Sequence, residues 1–149
     1  MKALIQRVSR ANVTIDGKIV GSIRRGYMAL IGVRDGDTDD DARQLADKTT
    51  NLRIFPDSSG RMNLSILDIG GEILIVPQFT LYADTRKGNR PSFVTAGSPE
   101  IAKQLYNTYI TAVRSELGGS KVATGRFGAK MQVEIVNDGP VTIELCTDR

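Results

Sequence analysis

The chain has 149 residues, 40% hydrophobic and 25% charged, with net charge +3 and a pI near 9.2, the balance of a single ordinary domain, 1–149, with a mild basic bias toward polyanions. It contains no histidine and one cysteine, Cys146, which excludes Ser-His-Asp and Cys-His catalysis, a histidine general base, HExxH and thiolate zinc sites, and an internal disulfide. The apolar start, Met1 to Ile5, is too short for a signal peptide and no run approaches the roughly 18 residues of a membrane span, so a cytoplasmic protein without a membrane partner is expected.

In chain order, residues 3–8, 12–15, 19–23 and 27–33 read as a strand meander, with Asp16-Gly17 as a hairpin turn between alternating apolar residues. The period then changes: Ala42, Leu45, Ala46, Thr49 and Leu52 recur at helical spacing behind Asp37, Asp39, Asp40 and Asp41, acids that suit a helix N-terminus. A calcium loop starting at Asp35 would put Asp40 where glycine is needed and Ala46 where glutamate is needed, so no metal is expected. Residues 56–60 read as a loop. Gly70-Gly71 introduces Ile73-Leu74-Ile75-Val76, four apolar residues in a row, which predicts a strand buried on both faces.

A polar loop follows over 84–91. Ser98 as cap and Pro99 at the first helical position open a second helix, with Ile101, Leu105, Tyr109, Ala112 and Val113 inward and Gly118-Gly119 at its end. Residues 121–124, 131–136 and 141–145 read as strands, Cys146 also reading as a strand residue, the final two joined by a turn through Asn137-Asp138-Gly139-Pro140. This order predicts an α+β fold: antiparallel or mixed sheets, as a partly closed barrel or as β/β/α layers, with two covering helices.

Three segments carry candidate chemistry. Pro77-Gln78-Phe79-Thr80-Leu81 lies where a buried strand stops, and proline breaks the ladder so that following N–H groups can be left free, as an oxyanion hole requires. Gln78 adds an amide and Thr80 a hydroxyl; the alternative is a plain strand end. Arg86, Lys87 and Arg90 on a glycine-containing loop suit RNA phosphates, or form a solvated loop. Thr124-Gly125-Arg126-Phe127-Gly128-Ala129-Lys130 has glycines and a lysine but lacks the Gly-Lys-Ser/Thr ending of a phosphate-binding loop, which favours a bend with Phe127 toward a pocket. Gly139-Pro140 between strand-like runs is either a plain turn or a backbone conformation wanted for itself, X-Pro being the one bond with an appreciable cis population.

Gln6-Arg7-Val8, Arg53-Ile54-Phe55 with Met62-Asn63-Leu64, Gln78-Phe79-Thr80-Leu81, Arg90-Pro91-Ser92-Phe93, Thr124-Gly125-Arg126-Phe127 and Asn137 to Thr142 occur together, spanning nearly the whole chain. In these segments, at this spacing, the sequence resembles the D-aminoacyl-tRNA deacylase family, enzymes that hydrolyse D-amino acids from mischarged transfer RNA. The resemblance implies a homodimeric ester hydrolase without cofactor or metal, whose pocket at the subunit interface takes the 3′-terminal adenosine and acceptor end of an aminoacyl-tRNA. It implies that Gly139-Pro140, in cis, reaches into the partner's pocket and rejects L-residues, while D-residues and mischarged glycine are cleared.

Arg7 matches the arginine that braces this turn across the dimer, and Phe127 and Met131 match residues at the adenosine end. Gln78, Phe79 and Thr80 match the reaction end, where the family offers Thr80 two roles, nucleophile or pocket wall. With no histidine to activate a hydroxyl, positioning and oxyanion stabilisation by the Phe79 and Thr80 N–H groups, assisted by the neighbouring ribose hydroxyl, is the favoured route. One departure is Pro77, where the family usually has serine. Pro77-Gln78 is similar instead to a relative specialised for L-alanine on a threonine transfer RNA, whereas Phe79 and the Asn137 to Thr142 segment keep the D-specific form. A non-catalytic module that binds the transfer RNA end is the alternative from another class.

Overall fold

The computed structural model describes residues 1–147. Its strands are β1 (Lys2–Ile15), β2 (Lys18–Ile23), β3 (Gly26–Gly32), β4 (Phe55–Pro56), β5 (Met62–Leu64), β6 (Glu72–Pro77), β7 (Val122–Thr124) and β8 (Gln132–Cys146). The helices are α1 (Asp39–Asn51), α2 (Ile66–Ile69) and α3 (Pro99–Leu117), with 3₁₀ turns after β6 at Phe79–Tyr82 and before β7 at Gly119–Lys121. The main sheet runs β2-β1-β3-β6-β7, with β8 on the other side of β1; β4 and β5 form a separate two-stranded sheet. Pairing is antiparallel around β1 and parallel for β3-β6 and β6-β7, so the sheet is mixed and curls into a nearly closed barrel, an α+β architecture.

The two expected helices form, α1 with the acidic start that was expected and α3 with the expected Ser98-Pro99 opening. Thr38 caps α1 in a reciprocal box with Asp41, behind an acidic first turn, and Asp41 is held below the usual carboxylate range: burial opposes this, but hydrogen bonds from Thr38 and the charge of the N-terminus prevail. Ser98 caps α3, with Pro99 in its first turn. Both helices cover one sheet face, over a core that includes Ile5, Tyr27, Leu45, Phe55, Ile73, Ile75 and Tyr109. The opposite face closes on Val8, Val13, Met28, Leu74 and Val76. Alternate residues of β6 thus enter different cores, which is the burial on both faces that its apolar run predicts. Gly26 makes the β3-β6 pairing feasible: at φ +159°, a Cβ there would lie 1.7 Å from the Glu72 carbonyl oxygen.

Several expectations need correction. Residues 3–8 and 12–15 are one continuous strand, β1. Leu105, Tyr109 and Val113 are buried and Ala112 packs against the core as expected, but Ile101 is exposed, and Ala102, Tyr106 and Ile110 complete the inner face of α3. The 3₁₀ turn at Phe79, the small β4-β5 sheet and the one-turn α2, capped by Ser65 with Gly70 in the left-handed conformation, were not foreseen. Most important, residues 132–146 are a single strand: Gly139-Pro140 does not reverse the chain. It sits in an irregularity of the β1-β8 ladder, where pairing passes from Gln6-Thr142 to Val8-Asn137 and leaves Asp138 to Val141 opposite Arg7 alone. A proline is tolerated mid-strand because the ladder asks nothing of its missing N–H at this point.

Candidate active site

The end of β6 opens onto a cavity of about 350 Å³, within the usual size for small-ligand sites. Pro77, Gln78 and Phe79 line it from the strand end, Phe127 and Met131 from the segment before β8, and Tyr106 from α3. The parallel β3-β6 pairing puts Pro77 beside Ile31, and the Gln78 N–H donates to the Ile31 carbonyl at 2.7 Å. The chain then turns into the 3₁₀ segment. Among the described residues, neither the Phe79 N–H nor the Thr80 N–H donates to a backbone or side-chain acceptor outside that turn, and a 3₁₀ turn leaves its first N–H groups without internal partners.

The Gln78 side-chain amide donates to the Thr80 hydroxyl, whose oxygen is thereby fixed as an acceptor. The chain has no histidine, and among the described residues the Thr80 hydroxyl has no hydrogen bond to a carboxylate or lysine that would raise its nucleophilicity. Phe79 is 57% exposed despite its size and meets Phe93 edge-on, ring centroids 5.0 Å apart, which ties the strand end to the long 83–97 loop. The cavity walls carry no charged side chain. Tyr106 donates its hydroxyl to the Ile75 carbonyl at 2.9 Å, and burial pushes its pKa above the ordinary tyrosine range against the nearby Arg114 charge, so it stays protonated and serves as a wall rather than a base.

The second half of the expected site lies elsewhere on the chain. Arg7, from β1, donates through Nε to the Asp138 carbonyl at 2.8 Å and through Nη1 to the Ile54 carbonyl at 2.6 Å. It therefore holds the Gly139-Pro140 segment within its own chain. The Gly139-Pro140 bond is cis, and both residues are exposed. Neither they nor Arg7 line the strand-end cavity.

Of the basic loop, Arg86 is committed to Asp84 through two contacts of 2.9 and 2.7 Å, and that hydrogen-bonded pairing holds the Asp84 carboxyl down to about 2. Lys87 and Arg90 are exposed. A larger, open groove of about 750 Å³ runs between α1 and α3, but its Thr108 and Glu116 are spoken for by Asp39 and Thr50. The apolar walls Ile31, Val33, Val76, Ala102 and Val133 were not singled out from sequence, because apolar periodicity marks core and pocket wall alike. Tyr106 was missed for the same reason. No group of three or more metal-ligating side chains occurs among the described residues, and none of their helices is long and apolar enough to cross a membrane.

The fold is α+β, and its strand-end cavity has apolar walls with the Gln78 amide and no charged side chain, while Thr80 lies next in the chain, exposed and outside the lining. The chain belongs to the D-Tyr-tRNA(Tyr) deacylase family, whose model matches residues 4–146, a family of hydrolases acting on transfer-RNA esters. It is 57% identical to the D-aminoacyl-tRNA deacylase of Roseiflexus castenholzii over 145 residues, covering 97% of this chain and 91% of that one. To the enzyme of the same name from Natranaerobius thermophilus it is 52% identical over 149 residues, covering 100% and 99%. Among solved structures it is similar to the c-Myc DNA unwinding element binding protein, with TM-score 0.95, 43% identity and full coverage of both chains. A probable eukaryotic D-amino acid tRNA deacylase shares the fold, with TM-score 0.84, 21% identity and 97% of each chain covered.

Proposed function

We propose that this chain, acting as one cytoplasmic domain, hydrolyses the ester of D-aminoacyl-tRNA and of mischarged glycyl-tRNA, releasing the free amino acid. The observation that carries this reading is the pair of unengaged N–H groups, Phe79 and Thr80, at the end of β6 beside an apolar cavity. An ester carbonyl seated there could accept from these donors, and the tetrahedral intermediate would gain charge where free N–H groups can meet it. Gln78 holds the Thr80 hydroxyl in place, and the scarcity of titratable groups favours a reaction in which the terminal ribose 2′-hydroxyl helps deliver water. An aminoacyl ester is activated enough for positioning to suffice.

In this reading Phe127 and Met131 pack the terminal adenine, and Lys87 and Arg90, with Arg86, contribute phosphate contacts. Gly139-Pro140 enters the partner's cavity in a homodimer and admits only one arrangement around the α-carbon, with Arg7 fixing the segment from its own chain. Two observations favour the dimer: the segment is exposed, and it is absent from the cavity of its own subunit. Discrimination by a wall rather than by attraction lets glycine pass.

The test is release of D-tyrosine from its transfer RNA by the purified protein in the presence of a chelator, with the L-ester measured alongside. Rapid D-release with the L-ester spared is expected. Equal release of both esters would remove the chirality filter, and release of neither, with the RNA still bound, would leave a binding module. Pro77 favours a second reading, clearance of L-alanine from a threonine transfer RNA, and that ester belongs in the same assay.

A further inference from the structure

Beside the strand-end cavity lies a second depression of about 340 Å³, bounded by one side of α3 and by the end of β7 with the segment that follows it. The two share Tyr106 and Phe127 as a common wall. Their chemistry differs completely. The first has no charged lining, whereas the second is lined by Lys103, Arg114 and Arg126 with no acid among its residues. Asn107, Thr111 and Thr124 add neutral polar groups.

The three cations are exposed, and among the described residues none has a side-chain ion pair or hydrogen bond. Some other exposed cations are paired, Arg43 with Asp40, Arg24 with Glu72, Arg10 with Glu134 and Arg86 with Asp84, while Lys48, Lys87 and Arg90 also stand exposed; what sets the groove apart is three such cations lining one depression with no acid. Lys103 and Arg114 stand on one face of α3, eleven positions apart, about three turns or ~16 Å along the axis. That length covers several phosphates of one strand, at about 3.4 Å per phosphate in a stacked duplex strand.

We propose that this groove holds the phosphate backbone of the nucleotides preceding the terminal adenosine, so that the RNA strand reaches the cavity along α3. The inference rests on the proposed function above and deepens it: the adenosine lies against Phe127, and the strand leaves past Arg126 toward Arg114 and Lys103. Unpaired cations on a stiff helix suit a ligand recognised by charge spacing rather than by base identity. An exposed RNA strand, with no need of base edges, fits that description.

The test compares two substrates for the parent protein and for the triple variant Lys103→Gln/Arg114→Gln/Arg126→Gln, with Lys48→Gln, exposed on α1 and outside cavity and groove, as control. The substrates are D-tyrosyl-tRNA and the D-tyrosyl ester of adenosine, which lacks every phosphate. The ratio of kcat/KM for the RNA ester to that for the adenosine ester is expected to fall about tenfold or more in the triple variant, and the log–log salt slope for the RNA ester to shrink by about 2, near 0.7 per lost contact. Lys48→Gln should leave both quantities at the parent value. If the parent cleaves both esters but the triple variant keeps the parental ratio and salt slope, the groove assignment is overturned while the activity stands. If the parent cleaves neither ester, the functional reading fails and the groove falls with it.

Discussion

Two prolines interrupt the sheet, and the molecule treats the interruptions in opposite ways. Pro140 lies within β8, where Asp138 to Val141 stand opposite Arg7 alone, and the guanidinium fills the break, binding the Asp138 and Ile54 carbonyls. Pro77 ends β6, where Gln78 closes one last bond to Ile31 and the next two N–H groups, Phe79 and Thr80, engage no partner outside their own turn. The first break is satisfied internally and becomes a fixed shape; the second is left unsatisfied and becomes a set of donors. Buried backbone groups are almost always paired; these two donors belong to exposed residues and so are open to water or, in the proposed reading, to an ester oxygen. Shape and chemistry are thereby separated: one region can exclude while the other reacts.

The largest effect should come from the substrate side of the open break. If the β6 end supplies only donors and positioning, assistance with water falls to the RNA, and replacing the terminal 2′-hydroxyl by hydrogen should lower single-turnover hydrolysis of the D-ester about 10²- to 10⁴-fold, the usual worth of general acid–base help. A deoxy substrate cleaved at the ordinary rate would place that help in the protein and erase the contrast between the two breaks.

Next in size is the filled break. Arg7→Ala removes two charge-assisted bonds from a side chain only 12% exposed and strands two carbonyls, so a loss of about 3 kcal/mol in chemical denaturation is expected. Arg7→Lys should recover only part, since one ammonium cannot reach both carbonyls as a fork does. An Arg7→Ala protein as stable as the parent would mean that the segment holds its shape unaided.

Glycine substitutions sharpen the same contrast at smaller scale. At Gly139, φ +153°, an added Cβ would lie 2.5 Å from the Val141 backbone nitrogen, so Gly139→Ala should cost about 2 kcal/mol. At Gly125, beside the cavity, the Cβ would meet the Met131 sulfur at 2.7 Å, the end of a flexible side chain that can swing aside. Gly125→Ala should therefore cost less than half as much, read as the difference in melting temperature. Equal costs would show the cavity edge to be as rigid as the clamp.

How legible these regions were in the sequence follows from the range of the forces that build them. The β6 run, the acidic start of α1, the Ser98 cap of α3 and the strand stop at Pro77 are local, set by propensity, charge, capping and a missing N–H, and were readable; the Thr38 cap, equally local, was not singled out. Gly139-Pro140 was recognisable as unusual but was read as a hairpin. Whether a Gly-Pro step turns the chain or bulges it depends on the partner strand, and only the long-range β1-β8 register makes the difference. The helix face was misjudged by one position, Ile101 for Ala102, because a helical stripe wide enough to cover a sheet tolerates such a rotation. Tyr106 looked like core and is both core and wall, a distinction that periodicity does not carry.

The smallest effect separates the two roles open to Thr80. Its hydroxyl accepts from Gln78 and meets no base, so in the open-break picture it orients a neighbour and does not attack. Thr80→Ala would then delete one hydrogen bond between partly solvated groups, worth about 1 kcal/mol, while the Phe79 and Thr80 N–H groups, belonging to the main chain, survive the substitution. A fall of about tenfold or less in kcat, with folding intact and the D-to-L ratio retained, is expected. A nucleophile behaves differently: its removal abolishes the covalent route and costs many orders of magnitude whatever the backbone does. Measured on the same preparation, Thr80→Ala and the 2′-deoxy ester must therefore move in opposite proportions, and the reverse pattern would transfer the chemistry from the main chain and the RNA to the threonine side chain.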